Sequence, residues 1–416
     1  MKDPEAGSDD LTTLDDVCEF IVDCLHKTAP LQSTGYPSIR TPNVGRGRLI
    51  LEGVNRVSQE VYEEWTKRAV PEPGDLILAR EAPAGNVAVI KDGQTVCLGQ
   101  RTVHLRPNRE KVDPDFLCYY LLAPRQQGLL LAGETGVTAG HVNMRDIRRL
   151  DIGRLPDPDT QKTIGQTLSA YDDLIENNRQ RIALLEEAAR LLYREWFVHF
   201  RFPGHEQVKI IDGLPEGWDR RTVSNLAHVF RGKSYRSSEL VDSDGQPFIN
   251  LKCVDRLGGF RISGLKWFQG EHREHHLATH GDVLIAVTDM TRDAMIVAQA
   301  ARVPRTVGDR AIYSMDLVKT IPRNDVEPEW FYGMLRFSQF SAVVREEATG
   351  ATVLHLKPKH IENWEAVVPP TVLRGLFSKQ FSAILQQIDN LELQNANCAK
   401  ARDLLLPRLM NGEITV

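Results

Sequence analysis

A chain of 416 residues with 42% hydrophobic and 26% charged side chains has ordinary globular composition and exceeds one domain, so two or three folded units are expected. The formal net charge of −5 excludes a wholesale polycation, and any nucleic-acid surface must be local and balanced by acidic residues elsewhere. No apolar run approaches the roughly 20 residues of a bilayer span, and the cysteines Cys18, Cys24, Cys97, Cys118, Cys253 and Cys398 form no CxxC pair, so a cytoplasmic protein with reduced thiols, no metal site and no membrane partner is expected.

Along the chain, short β-branched runs bounded by turn residues predict strands at GDLILA from Gly74, GNVAVI from Gly85 and TVCLGQRTVHLRP from Thr95. DPDFLCYYLLAPRQQGLLLAG then has helical spacing, with Asp113 and Pro114 as cap and first-turn residues. From Gln161 to about Phe197 the period changes to a heptad. Ile164, Leu168, Tyr171, Ile175, Ile182, Leu185, Ala189, Leu192 and Trp196 make a seam in which Asn178 fills the slot between Ile175 and Ile182. Such a helix would be of the order of 55 Å long, too long for the surface of one small globule, and should pair with something.

Beyond this helix the chain repeats itself. GDVLIA from Gly281 repeats GDLILA; QPFINLKCV ending at Val254 echoes YPSIRTPNV ending at Val44, and VGDRAI around Arg310 echoes LGQRTV around Arg101. VEPEWFYGMLR from Val326 matches VDPDFLCYYLL from Val112, and TGATVLHLKPKHI ending at Ile361 matches TGVTAGHVNMRDI ending at Ile147. Five matches in preserved order, roughly 210 residues apart, indicate a duplicated domain. A second apolar seam follows, through Phe377, Phe381, Ile384, Ile388, Leu391, Cys398, Leu405 and Leu409, interrupted by Asn395 and Arg402. Asn395 falls where the repeat places Asn178. Two asparagines facing across an antiparallel seam would set helix register, and the alternative is that both face solvent. The expected fold is α+β: two strand-rich α/β globules, residues 1–158 and 201–370, and two long helices, 159–200 and 371–416, forming an antiparallel coiled coil with pseudo-twofold internal duplication.

In order and duplication these features resemble the specificity subunits of Type I restriction-modification systems. The marks are IVDCLHKTAP from Ile21, FRGKSY from Phe230 with FINL after it, GDLILA and GDVLIAVTDMT, the TG-x-T segments at Gly136 and Gly350, and the proline-marked helix starts LPDPDTQKTI and VVPPTVLRGLF. The resemblance implies two target-recognition domains that each read half of a split, asymmetric site in double-stranded DNA, held apart by helices that dock two methyltransferase subunits. Motor-nuclease subunits join for cleavage in this family, and S-adenosylmethionine, ATP and magnesium belong to those partners.

FRGKSY shares Gly-Lys-Ser with phosphate-binding loops, but Ala227 occupies the place of their leading glycine. Arg231, Lys233, Ser234, Tyr235 and Arg236 are instead candidate contacts to phosphates and groove edges, the alternative being a solvated loop; His26, Lys27 and Thr28 are their counterparts in the first domain. Arg101 and Arg310, placed alike in strand-like runs, are candidate base readers, because an arginine fork can take guanine O6 and N7 together; structural ion pairs are the alternative. Arg40, Asn250, Thr138, His141, Thr352, His355 and Lys357 complete the candidates. HREHHLATH places His272, His275, His276 and His280 at helical spacing without the HExxH order of a zinc site, and Asp172 with Asp173 reads as the polar face of the first long helix. No glycine-rich cofactor loop and no Asn-Pro-Pro-aromatic or Asp-Pro-Pro-aromatic tetrapeptide is present, so a non-catalytic chain without its own cofactor is expected. A self-contained DNA-modifying enzyme and a coiled-coil scaffold that ignores DNA are the alternatives.

Overall fold

The computed structural model describes residues 12–25, 27–132, 141–290, 295–350 and 353–416; the candidates His26, Thr138 and Thr352 lie outside them. Contacts divide the chain into two compact units, 1–176 with 397–416, and 177–396.

The strands of the first unit are β1 (Cys18–Asp23), β2 (Tyr36–Ile39), β3 (Gly47–Arg48), β4 (Arg56–Val57), β5 (Leu76–Ala79), β6 (Val87–Val89), β7 (Cys97–Leu98) and β8 (Thr102–Pro107). One sheet has the order β1-β8-β5-β6-β3 and a smaller one β4-β2-β7. GDLILA becomes the central strand because both of its faces find apolar partners. Leu76 and Leu78 share a core with Val103, Leu105, Phe116 and Leu117, while Ile77 and Ala79 share another with Ile39, Ala88 and Leu98. Beneath β5, Asp75 is buried against His104 Nε2 at 2.6 Å and Arg106. Burial pushes its carboxyl up, but hydrogen bonds from Arg106 and His104 outweigh burial and hold it below the ordinary carboxylate value.

The helical stretch after Asp113 is two helices, not one: Pro114–Leu122 and Pro124–Leu131. Pro124 has no N–H for a continuing ladder and its ring obstructs the preceding turn, so the chain breaks at Ala123. Asp113 Oδ1 accepts the Phe116 N–H at 2.9 Å and caps the first. The long helix Pro158–Phe197 starts where Asp157 accepts both the backbone N–H (3.1 Å) and the hydroxyl (2.7 Å) of Thr160. Within the first unit its Ile164 and Leu168 pack with Leu406 and Leu409 of the helix Thr371–Met410. Asp172 departs from the expected polar face. It is 5% exposed, accepts the Tyr119 hydroxyl at 2.5 Å and pairs with Arg402, while exposed Asp173 pairs with Arg48. The sequence showed two adjacent carboxylates, but a helix turns them about 100° apart and only one meets solvent.

The second unit repeats the first. Strands Ala227–Arg231, Leu317–Pro322, Val283–Ala286 and Ala300–Arg302 make a sheet in the order of β1-β8-β5-β6. Asp282 and Lys319 (3.5 Å) stand where Asp75 and His104 stand in the first unit, so the pairing of an aspartate with a basic side chain is duplicated with a different base. Helix Pro328–Phe337 packs Trp330 and Phe331 into the core with Tyr193, Trp196, Phe197, Phe377 and Phe381 of the two long helices. Asn178 is fully buried, and its amide nitrogen donates at 2.9 Å to both Asn395 Oδ1 and Gln394 Oε1. Tyr193 meets Phe377 at 6.0 Å between ring centroids, so the helix segments of this unit run antiparallel. Tyr193 and Phe197, outside the expected seam, are buried, whereas Ile182, Leu185 and Leu192 are only half-buried. The helix packs on the globule as well as on its partner helix, which needs a wider apolar stripe than a two-stranded seam. Among the described residues no helix is long and apolar enough to cross a membrane.

Strand register also corrects the matching of Arg101 with Arg310. Ala79 faces Thr102 in the first unit and Ala286 faces Leu317 in the second, and the Arg101 carbonyl accepts the Arg80 N–H (2.9 Å) as the Asp316 carbonyl accepts the Val287 N–H (2.8 Å). Arg101 therefore corresponds to Asp316. Arg310 precedes Ala311–Tyr313, whose parallel pairing with Gln246–Ile249 repeats that of β7 with β2. LGQRTV spans the turn from β7 into β8, whereas VGDRAI leads into the copy of β7, so the two occupy different places in the duplicated fold and their likeness is coincidental.

Candidate nucleic-acid interface

In the first unit the turn between β7 and β8 carries Arg101, not in a strand but in the left-handed region at φ 67° and 57% exposed. Its Nε lies 2.9 Å from Glu81 Oε2, while Glu81 Oε1 meets His141 Nδ1 at 2.8 Å. Buried Arg80 closes the series with Nη2 2.7 Å from His141 Nε2 and Nε donating to the Val142 carbonyl. Arginine has no acceptor, so His141 Nε2 accepts and Nδ1–H donates to Glu81, which fixes a neutral tautomer between the two charges. Arg40 is exposed and its stem lies beside Gly99 of the same turn. Lys27 and Thr28 are exposed just beyond the end of β1.

In the second unit the corresponding edge gathers different residues. The Lys233 N–H donates to the Tyr313 carbonyl and its own carbonyl accepts from Met315, so FRGKSY is laced to the turn 314–316. Gly232 is required there, because a Cβ would stand 2.1 Å from the Ser314 carbonyl. HREHH forms a 3-10 turn, Glu274–His276, rather than a longer helix, tied down by the Tyr313 hydroxyl donating to the His275 carbonyl at 2.8 Å. Burial, then the neighbouring His275, Lys233, Arg273 and His272, hold the His276 imidazole below its ordinary pKa, which places Lys233 and these side chains in one basic patch. Arg310 joins it through Glu274 at 3.2 Å. Arg231, Ser234 and Arg236 are exposed, while the Tyr235 ring packs edge-on against Phe248 at 4.8 Å and is half-buried. Asn250 is buried, with its amide committed to the Gly264 carbonyl and the Lys252 N–H, which makes it a structural cap. His355 and Lys357 are exposed; His355 pairs with Thr288 as His141 does with Glu81. His280 leaves the patch altogether and meets Asp389 of the long helix at 2.8 Å. Among the described residues no group of three or more His, Cys, Asp or Glu side chains is arranged to hold a metal ion.

Arg80, Glu81, Arg273, Glu274 and Asp316 were not singled out in the sequence. Glu81 and Asp316 become visible only when the two copies are aligned by strand register rather than by short identities.

A strand-rich globule and a long helix, built twice, with an exposed polar turn at the same edge of each copy, define a duplicated α+β protein. Residues 10–187 match the family model described as the Type I restriction modification DNA specificity domain. The Type I restriction enzyme MjaIX specificity subunit of Methanocaldococcus jannaschii is 24% identical over 378 residues, covering 88% of this chain and 83% of that protein. The HindI specificity subunit of Haemophilus influenzae is 21% identical, covering 84% and 88%. A crystal structure of the Type I restriction-modification S subunit from M. genitalium shares the fold with a TM-score of 0.56 at 15% identity, over 96% of this chain and 95% of that one. Over residues 10–187 the chain thus matches the Type I DNA specificity domain, and along most of its length it is similar to proteins named as Type I specificity subunits.

Proposed function

We propose that the two globules, residues 1–158 and 201–370, each read one half of a bipartite, asymmetric site in double-stranded DNA. In this reading the helical segments 159–200 and 371–416 set the half-site spacing and dock two methyltransferase subunits, to which motor-nuclease subunits add for cleavage. S-adenosylmethionine, ATP and magnesium reside in those cytoplasmic partners. The observation that carries the reading is the pair of equivalent sheet edges: one framework presents Arg40, Arg101 and His141 in the first copy and Lys233, Met315 and Asp316 in the second. Identical frameworks with different displayed chemistry suit two unlike half-sites.

The test is the binding of the complex, this chain with its methyltransferase subunits, to duplexes in which bases are inserted between intact half-sites. Loss of binding on a change of one or two base pairs is expected. Unchanged binding at every spacing would remove the ruler.

A further inference from the structure

Resting on the DNA-reading function proposed above, we infer that the turn entering β8, and its copy entering the strand Leu317–Pro322, discriminates bases in both units, and that the two copies do so with opposite chemistry. Arg101 selects guanine in one half-site, and Asp316 selects cytosine in the other. The two positions are the same place in the fold: each carbonyl closes the same bond to the residue after the GDLILA or GDVLIA strand, and each is followed by the strand that pairs with β5 or its copy. In the first unit this place presents the four N–H groups of the terminal guanidinium nitrogens and no acceptor. Glu81 engages Nε, and among the described residues the terminal guanidinium nitrogens have no protein partner. Such a fork matches O6 and N7 on the guanine edge. In the second unit the same place presents acceptors only; the carboxylate of half-buried Asp316 receives a 3.3 Å bond from the Ser314 hydroxyl, and Met315 is exposed beside it. A carboxylate suits the amino group of cytosine. It is repelled by adenine, whose amino group stands beside the N7 acceptor.

A second observation points the same way. The residue one position beyond the shared backbone bond has changed with the turn: Glu81, which anchors the Arg101 cation, corresponds by register to Thr288, a neutral side chain. Acid with base in one copy and hydroxyl with acid in the other is what two turns tuned to opposite base edges require.

The experiment selects a randomised duplex library with the whole complex, carrying wild-type chain, R101N, R101K or D316N. Asparagine tolerates the left-handed backbone at this position, and lysine keeps the charge while losing the planar fork. R101N and R101K are expected to lower the preference for guanine at one position of one half-site by roughly 5- to 150-fold, with the other half-site unaltered. D316N should do the same for cytosine in the opposite half-site. The unaltered half-site serves as the control for folding in each variant. A wild-type split site whose two halves survive all three substitutions, or lose preference equally, overturns this inference and leaves the DNA-reading function standing. Selection of no split sequence by the wild-type complex overturns that function itself.

Discussion

Asp389, on the second long helix, is 3% exposed and ties that helix to the second globule. Its two oxygens meet Arg302 Nη1 and Nη2 at 2.8 and 2.9 Å, and His280 Nε2 adds a third contact at 2.8 Å. D389L would leave the Arg302 guanidinium, itself only 16% exposed, without its fork partner. Breaking a buried pair on one side costs about 3–5 kcal/mol; some remaining solvent around Arg302 puts the expected cost near ~3 kcal/mol. The double substitution R302M/D389L should return to within about 1 kcal/mol of wild type, since an apolar pair removes the desolvation cost of both charges. Urea unfolding followed by tryptophan fluorescence reads this directly, because Trp330 is buried in the same unit. A D389L cost below about 1 kcal/mol, or a double substitution as costly as both singles together, would refute the reasoning. Acid should mimic the single substitution. Burial raises the Asp389 carboxyl, but Arg302 and His280 outweigh it and the net value is lowered below 3.8, so its stabilisation is present above pH 3.8 and lost as pH falls through the lower folded value.

One turn further, Glu392 behaves in the opposite sense: burial first, then Asp389 and Glu186, push its carboxyl from 4.5 up to about 7. The cost to folding therefore grows as pH rises from 4.5 to about 7 and is fully present above that, and E392Q is expected to raise the urea midpoint at pH 8 while leaving it unchanged near pH 4; equal effects at both pH values would contradict the shift. N178L/N395L should raise the unfolding free energy by about 1–3 kcal/mol, because the Asn178 side-chain oxygen is buried without a partner, and should broaden the accepted half-site spacing; no change in either would place the register elsewhere. K233A or K27A should weaken binding to every duplex alike and flatten the salt dependence by about one unit of slope, whereas a sequence-selective loss would make that lysine a base reader.

The duplication was legible because the framework segments are dictated by burial: the strand residues LILA and VLIA of GDLILA and GDVLIA are buried throughout, and each must recur wherever the same sheet is built. The long helices were legible from their period, and the Asn178–Asn395 meeting from the interruption in it. What escaped was the part that burial does not dictate. Matching Arg101 to Arg310 failed because loops of unequal length separate the strands, and a six-residue likeness with two identities outweighed register that only the hydrogen-bond ladder reveals. Asp172 was misplaced for a related reason: its partners Tyr119 and Arg402 lie far away in sequence, and no local pattern announces them. His280 looked like one member of a histidine group until the fold turned it toward Asp389.

The most direct test is the sequence selected from a random duplex library by the chain in complex with its methyltransferase subunits. Two short blocks of specified bases, unlike in sequence and separated by a fixed run of unspecified ones, are predicted, each altered independently by substitutions in its own globule. A single continuous block, two identical blocks, or no enrichment at all would contradict the account of two unlike readers.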